Sequence, residues 1–325
     1  DPISARTNDK KATLIEANIL TFADAAEKVF ANSKAGWKNK KHQAQWINTL
    51  RTYVFPNMGH KLLSEIDVND VAESLRPIWL TKAETASRVK QRIHHVLEWA
   101  CAQQIIVGNP VNGVKHLLPK QPSTSLRVQN FPAMPWRIIP RFVVEDIGDV
   151  DNVSRNLLLF VILTAVRSGE ARKAKWSEFD LKQRIWTIPA SRMKAHTTHR
   201  VPLSGPVLKL LEKQQQKSSK RDLVFPSPRA GGELTDMALT SFLRKHRAVS
   251  DTLGRSATAH GFRSSFRDWA SENGYPRDYA ERALAHTIKD ASEAAYHRTD
   301  LLEQRRPMME NWAKHVISEK KVQSF

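Results

Sequence analysis

His260-Gly261-Phe262-Arg263-Ser264-Ser265-Phe266-Arg267-Asp268-Trp269-Ala270 reads as the entry to a helix over about Arg263–Asn273. His260 and Arg263 stand three apart and so share one face of that helix start. A helix N-terminus presents unpaired N–H groups and the positive end of its dipole, so this face favours an anion. A histidine cap beside a surface arginine satisfies the same spacing, and the stretch alone does not choose between them.

Three further stretches, met on working outward, put a phosphate-binding or proton-transfer group where local structure changes. Upstream, Thr164-Ala165-Val166-Arg167-Ser168-Gly169-Glu170 ends an apolar helix (Asn152–Val166) on an arginine, then a small turn and a glutamate. An arginine at the edge of a core can offer its planar fork to a phosphate from a rigid platform, or simply pair with Glu170. Between the two, Arg184–Ile188 alternates as a strand and Arg200–Leu203 makes a second. The basic, turn-prone Ala190–His199 therefore reads as a β-hairpin tip carrying Lys194. An ammonium there can swing onto a substrate or stay solvated. Downstream, Leu284-Ala285-His286 is followed ten residues later by Tyr296, one of four tyrosines with Tyr53, Tyr275 and Tyr279. A lone tyrosine after an Ala-rich segment is more often core than nucleophile.

The rest of the chain supplies the frame. Residues 1–20 read as a polar tail or linker. Thr21 opens a helix with Phe22, Ala25, Ala26, Val29 and Phe30 at helical spacing. A second helix is expected over Lys40–Phe55, stopped by Pro56 and Gly59. Asp67 can cap a short helix ending before Pro77, and Thr81 with Glu84 forms a capping box for a long helix to about Gln103. With no strand pattern before residue 118, residues 21–118 are expected to be an all-helical domain. Five prolines within residues 119–140 predict an extended linker. Residues 141–325 then form a second, α+β domain with a small antiparallel sheet, so the whole is mainly α. Its later helices are expected at Pro206–Gln215, Thr235–Arg247, Pro276–Leu284, Ser292–His297 and Pro307–Ile317.

Composition narrows the function class. The chain has 325 residues and a formal net charge of +18, with a single cysteine, Cys101. No intramolecular disulfide can form, which fits a reducing compartment. The most apolar stretch, Leu157–Val166, is too short for a membrane span of about 20 residues, and Asp1-Pro2-Ile3 lacks a signal-peptide pattern. The chain also lacks an initiator Met, as a fragment of a longer protein would. An excess of this size calls for a polyanionic partner, and nucleic acid is the common one. Residues 1–118 hold 16 basic and 11 acidic side chains and the remainder 35 and 22, so most of the excess lies in the second part. No GxxxxGK[ST] loop, Cys/His metal cluster or two-metal carboxylate set is present, and no cofactor is expected.

The order Arg, Lys on a hairpin, His-x-x-Arg, His, Tyr resembles the active site of the tyrosine recombinases, or phage integrases. The likeness is nearest to the satellite-phage and genomic-island type, through His260–Ala270, Ala283–His286 and the run from Ala295 to Trp312. It also reaches the first domain, through Tyr53-Val54-Phe55-Pro56 and Lys82-Ala83-Glu84-Thr85-Ala86. The resemblance implies a two-domain clamp on duplex DNA, in which a helical core-binding domain precedes the catalytic one. It also implies a further N-terminal DNA-binding domain in most relatives, which a truncated chain would lack.

By the same resemblance, Arg167 and Arg263 clamp the non-bridging oxygens of a phosphodiester, with His286 bonding one of them. Tyr296 attacks as its proton passes to His260, and Lys194 protonates the leaving 5′-hydroxyl. The resulting 3′-phosphotyrosyl enzyme needs neither ATP nor metal to religate. The family further implies a tetramer on DNA attachment sites, accessory DNA-bending or directionality proteins, and a cytoplasmic, nucleoid-associated setting. A C-terminal segment docks on a neighbouring subunit in the family, and Met308, Met309, Trp312 and Val316 make an apolar stripe that would suit it. The alternative is that the stripe packs on its own domain. Competing readings are a DNA-binding protein that has lost catalysis, and a type IB topoisomerase-like relaxer or hairpin-forming resolvase.

Overall fold

The computed structural model describes residues 20–37, 40–122, 130–148, 152–218, 221–228, 231–286 and 299–318. The chain divides between residues 129 and 130 into two compact units, each with its own apolar core.

The first unit is helical. α1 (Phe22–Lys34) starts at Thr21, whose Oγ1 accepts the Asp24 N–H at 3.2 Å while Asp24 returns the bond. α2 spans Lys40–Tyr53, and one further helical turn, Phe55–Gly59, follows it. α3 (Val68–Trp79) is capped by Asp67, which accepts the Asn69 and Asp70 N–H groups at 2.8 and 3.0 Å. α3 does not stop before Pro77. A proline this near a helix end removes one hydrogen bond, and burial of Ile78 and Trp79 carries the helix past it. The consequence reaches the next element. Thr81 now falls in the turn that closes α3 and donates to Pro77 O at 3.0 Å, so the expected Thr81–Glu84 box does not form. α4 (Ala83–Ala102) begins uncapped by a side chain, and Glu84 pairs with Arg88 instead.

In the second unit, α5 (Ile139–Phe142) leads to α6 (Val153–Thr164), capped by Asn152 and buried along most of its length. α7 (Ser168–Arg172) and β1 (Phe179–Asp180) are short elements that the periodicity did not reveal. β1, β2 (Ile185–Ile188) and β3 (His199–Pro202) form one antiparallel sheet in that order, with Ile185 opposite Pro202 and Ile188 opposite His199. α8 (Gly205–Ser218), α9 (Met237–Lys245), α10 (Gly261–Glu272) and α11 (Arg277–Ala283) lie close to their expected positions. The helix expected at 292–297 lies outside the described residues.

α12 runs Leu302–Val316 and starts five residues before Pro307. Asp300 Oδ1 accepts the Leu302 N–H at 3.3 Å. Arg305, wholly buried, donates to Arg200 O at 2.9 Å and so ties that first turn to β3. The apolar stripe of α12 corrects the docking expectation. Met308, Met309, Trp312 and Val316 are all buried within their own unit. Trp312 packs its ring against Phe266 and Trp269 and donates Nε1–H to Ile162 O at 2.8 Å. These side chains are therefore core and not available to a neighbour. Trp312→Ala is expected to destabilise this unit by about 3–5 kcal/mol, measured as a lower midpoint in urea.

Candidate active site

The start of α10 is pinned from behind. A Cβ on Gly261 would come within 2.0 Å of Pro132 O, so only glycine fits there. The Gly261 N–H donates to Thr258 Oγ1 at 3.0 Å, and Ser265 Oγ donates to Met134 O. Arg263 thus sits on a helix whose first turn is packed and hydrogen-bonded against residues 132–134 and Thr258.

Arg263 is 4% exposed. Its Nη1 donates to Ala165 O at 2.6 Å and its Nη2 to Leu284 O at 2.7 Å, while Nη2 also lies 3.2 Å from His286 Nε2. Its buried Nε has no partner. Burial first, then the neighbouring Arg167 charge, pulls its pKa down to about 10, which leaves it charged at neutral pH. The carbonyls it bonds belong to two strained turns. Ala165 closes α6 with φ 53°, and Ala285 follows α11 with φ 48°, both in the left-handed region that non-glycine residues adopt at a cost. The second turn is a Schellman motif, with His286 N–H bonding Glu281 O at 3.0 Å and Ala285 N–H bonding Arg282 O at 3.1 Å.

Arg167 forms the Glu170 pair that its sequence context allowed and has a second bond besides. Its Nη1 pairs with the buried Glu170 at 2.9 Å, and its Nη2 reaches Ala285 O at 3.3 Å. Two guanidinium groups thus converge on residues 284–286. Arg192 at the base of the hairpin bonds both Glu170 O and Glu178, so β2–β3 is joined to the Arg167 turn. His260, just before α10, packs on Phe131 with ring centroids 4.5 Å apart. Loss of solvent around the imidazole, then the charges of Arg263, Arg167 and His286, hold its pKa below the usual 6.5.

Of the six residues singled out from sequence, Arg167, Arg263 and His286 are linked through these bonds, and His260 shares their electrostatic field. Lys194 stands exposed in the turn between β2 and β3. Tyr296 lies outside the described residues. Glu281, Arg192 and Phe131 were not foreseen as parts of the site, because nothing in their local sequence marks them. His199 is a further surprise. Expected at the hairpin tip, it opens β3 buried, and burial together with Arg305 holds its pKa down at about 3. Among the described residues no cluster of His, Cys, Asp or Glu could hold a metal, and no helix is long and apolar enough to cross a membrane.

Residues 22–116 match the phage integrase central domain, and residues 143–301 match the phage integrase family. Over 301 residues the chain is 31% identical to prophage integrase IntA of Escherichia coli (strain K12), covering 92% of this chain and 70% of that protein. The chain belongs to the phage integrase family. This integrase is also 28% identical over 331 residues to the integrase of Enterobacteria phage P4, covering 97% and 73% of the two chains. Among solved structures, its fold matches a lambda integrase dimer bound to a COC′ core site, with TM-score 0.64, 17% identity and coverage of 92% and 81%. A lambda integrase tetramer bound to a Holliday junction matches with TM-score 0.65, 15% identity and coverage of 90% and 82%. The integrase is accordingly a tyrosine-type site-specific recombinase, an enzyme that integrates mobile elements.

Proposed function

We propose that this integrase cleaves and rejoins duplex DNA at attachment sites through Tyr296, with Arg167, Lys194, His260, Arg263 and His286 as the assisting groups. The observation that carries the reading is the environment of Arg263. It is a buried cation bonded to two carbonyls and an imidazole, with no carboxylate ion pair among the described residues. Glu170 and Glu281 offset its charge only without direct contact. A buried charge lacking a direct ion pair is costly, and a phosphate beside Arg167 would supply one.

The chemistry follows from those groups. Tyr296 Oη bonds to phosphorus as the P–O5′ bond breaks. The phenol proton goes to His260, and Lys194 gives a proton to the departing 5′ oxygen. Arg167 and Arg263 bond the non-bridging oxygens where charge concentrates, and His286 joins them. The bond energy stays in the 3′-phosphotyrosyl link, so a 5′-hydroxyl of another strand reverses the step. The first unit acts as the core-type DNA-binding domain and the second as the catalytic domain. The net charge of +18 supports a DNA partner on both. Strand exchange joins two duplexes with two active sites on each, so four protomers assemble on DNA, and accessory DNA-bending or directionality proteins bias the direction in the bacterial cytoplasm.

Trapping on a suicide DNA substrate tests the proposal. A denaturation-resistant adduct supports it, and bound but uncut DNA refutes it. Two outcomes discriminate the proton-transfer roles. Lys194→Ala is expected to cut normal DNA poorly yet recover on a 5′-bridging phosphorothiolate, whose thiolate leaves without a proton. His260 must be neutral to accept the phenol proton, and its lowered pKa keeps it neutral further into acid. The single-turnover rate is therefore expected to hold at pH 6.5, the ordinary histidine value, and to fall only below it. A rate already halved at pH 7 would remove His260 from the base role.

A further inference from the structure

Glu281 sits on α11 five residues before His286 and touches it twice. Its carbonyl accepts the His286 backbone N–H within the Schellman turn, and its Oε2 lies 2.7 Å from His286 Nδ1. Its other oxygen, Oε1, accepts from Arg267 Nε at 2.9 Å, so the carboxylate is itself anchored to α10. Partial burial works against the ionised form of Glu281, yet the bonds from His286 and Arg267 overcome it and hold its pKa below the usual carboxylate value. An ionised carboxylate only accepts and a guanidinium only donates. Between Glu281 on one side and Arg263 on the other, the imidazole has one arrangement that satisfies both. In the protein without DNA, Nδ1 carries a proton toward Glu281 and Nε2 offers its lone pair to Arg263 Nη2 at 3.2 Å. A phosphate oxygen only accepts, so the ring that meets phosphate carries a proton on Nε2 as well, with Nδ1–H still held by Glu281.

We propose that Glu281 is a positioning residue for strand cleavage, which holds the His286 ring by Nδ1 so that Nε2 stays beside Arg263 where the scissile phosphate is received. This rests on the phosphoryl-transfer reading of the site above. Without the carboxylate, an exposed ring at the end of a strained turn is free to rotate about its side-chain bonds and to change tautomer. The Arg267–Glu281 pair gives the device a second anchor on the helix that bears Arg263, so the two groups that meet the phosphate are referenced to one frame.

The test is a double-mutant cycle on single-turnover covalent complex formation, with DNA affinity measured alongside. Glu281→Ala is expected to slow complex formation about 10–100-fold, the range for partners that orient a working imidazole, with affinity within about twofold. Glu281→Gln keeps an acceptor for Nδ1–H and is expected to recover most of that rate. In a His286→Ala background, Glu281→Ala is expected to cost nothing more. Nitrogen-15 spectra of labelled histidine in the protein without DNA supply the direct signature, with Nδ1 protonated in the parent and the Nε2–H form appearing in Glu281→Ala. A full rate in Glu281→Ala, or losses that add in the double variant, would overturn the positioning role. A full rate in His286→Ala would instead overturn the reading of the site. Should Glu281→Ala fail to fold, the spectrum and rate of Glu281→Gln decide, since loss of the Nδ1–H form there overturns the proposal.

Discussion

A Tyr296→Phe variant is expected to form no covalent complex with DNA while binding it within a few-fold of the parent. The phenol oxygen is the atom that would bond to phosphorus, and phenylalanine lacks only that atom. Affinity rests on phosphate contacts spread over a surface of net charge +18, which the change leaves intact. A denaturing gel after incubation with a suicide substrate reads the first quantity, and a native gel shift reads the second. A residual adduct would point to Tyr275 or Tyr279. Both are packed against the core of the second unit, and the Tyr275 hydroxyl already accepts from Asn311 Nδ2 at 2.8 Å.

Arg263→Ala is expected to lower the single-turnover cleavage rate by about 10²–10³, the usual loss when one preorganised donor to developing charge is removed. It should also destabilise the second unit. Ala165 O and Leu284 O would lose their donor inside the protein, at about 1–3 kcal/mol for a buried group left unpaired. These carbonyls lie 98 and 21 residues from Arg263 in sequence, so one side chain ties two left-handed turns together. Arg263→Lys is expected to recover little of the rate. A single ammonium cannot span both carbonyls as the planar fork does. Rate and urea midpoint, measured on the same preparations, separate the two effects. A rate within tenfold of the parent would place the phosphate elsewhere.

Local signals in the chain were read correctly where the physics is local. Asp67 caps the helix expected of it, and Thr21 and Asn152, expected at the starts of theirs, cap them too, because a cap needs only a short polar side chain and an N–H two or three residues on. The order of Arg167, Lys194, His260, Arg263, His286 and Tyr296 stands in the sequence, but their roles came from the family resemblance; bonds in the fold link Arg167, Arg263 and His286, and Tyr296 lies outside the described residues. Thr81 shows the limit. Its capping box was sound by pattern and failed because the preceding helix ran two residues past Pro77, carried by the burial of Ile78 and Trp79.

What the tertiary structure alone decided is which face is covered and which charge is answered. The amphipathic pattern of Met308, Met309, Trp312 and Val316 demanded a partner, and helical periodicity is blind to whether that partner is the same chain or another. Packing against Phe266, Trp269 and α6 settled it. Arg263 carried no sign in its sequence neighbours that its fork would bond Ala165 O and Leu284 O. Nor did Gly261 announce the backbone of Pro132 pressed against it. Spacing and propensity are properties of a few adjacent residues, so sequence determines them. Burial and charge compensation depend on segments a hundred residues away, and only the folded chain brings those together.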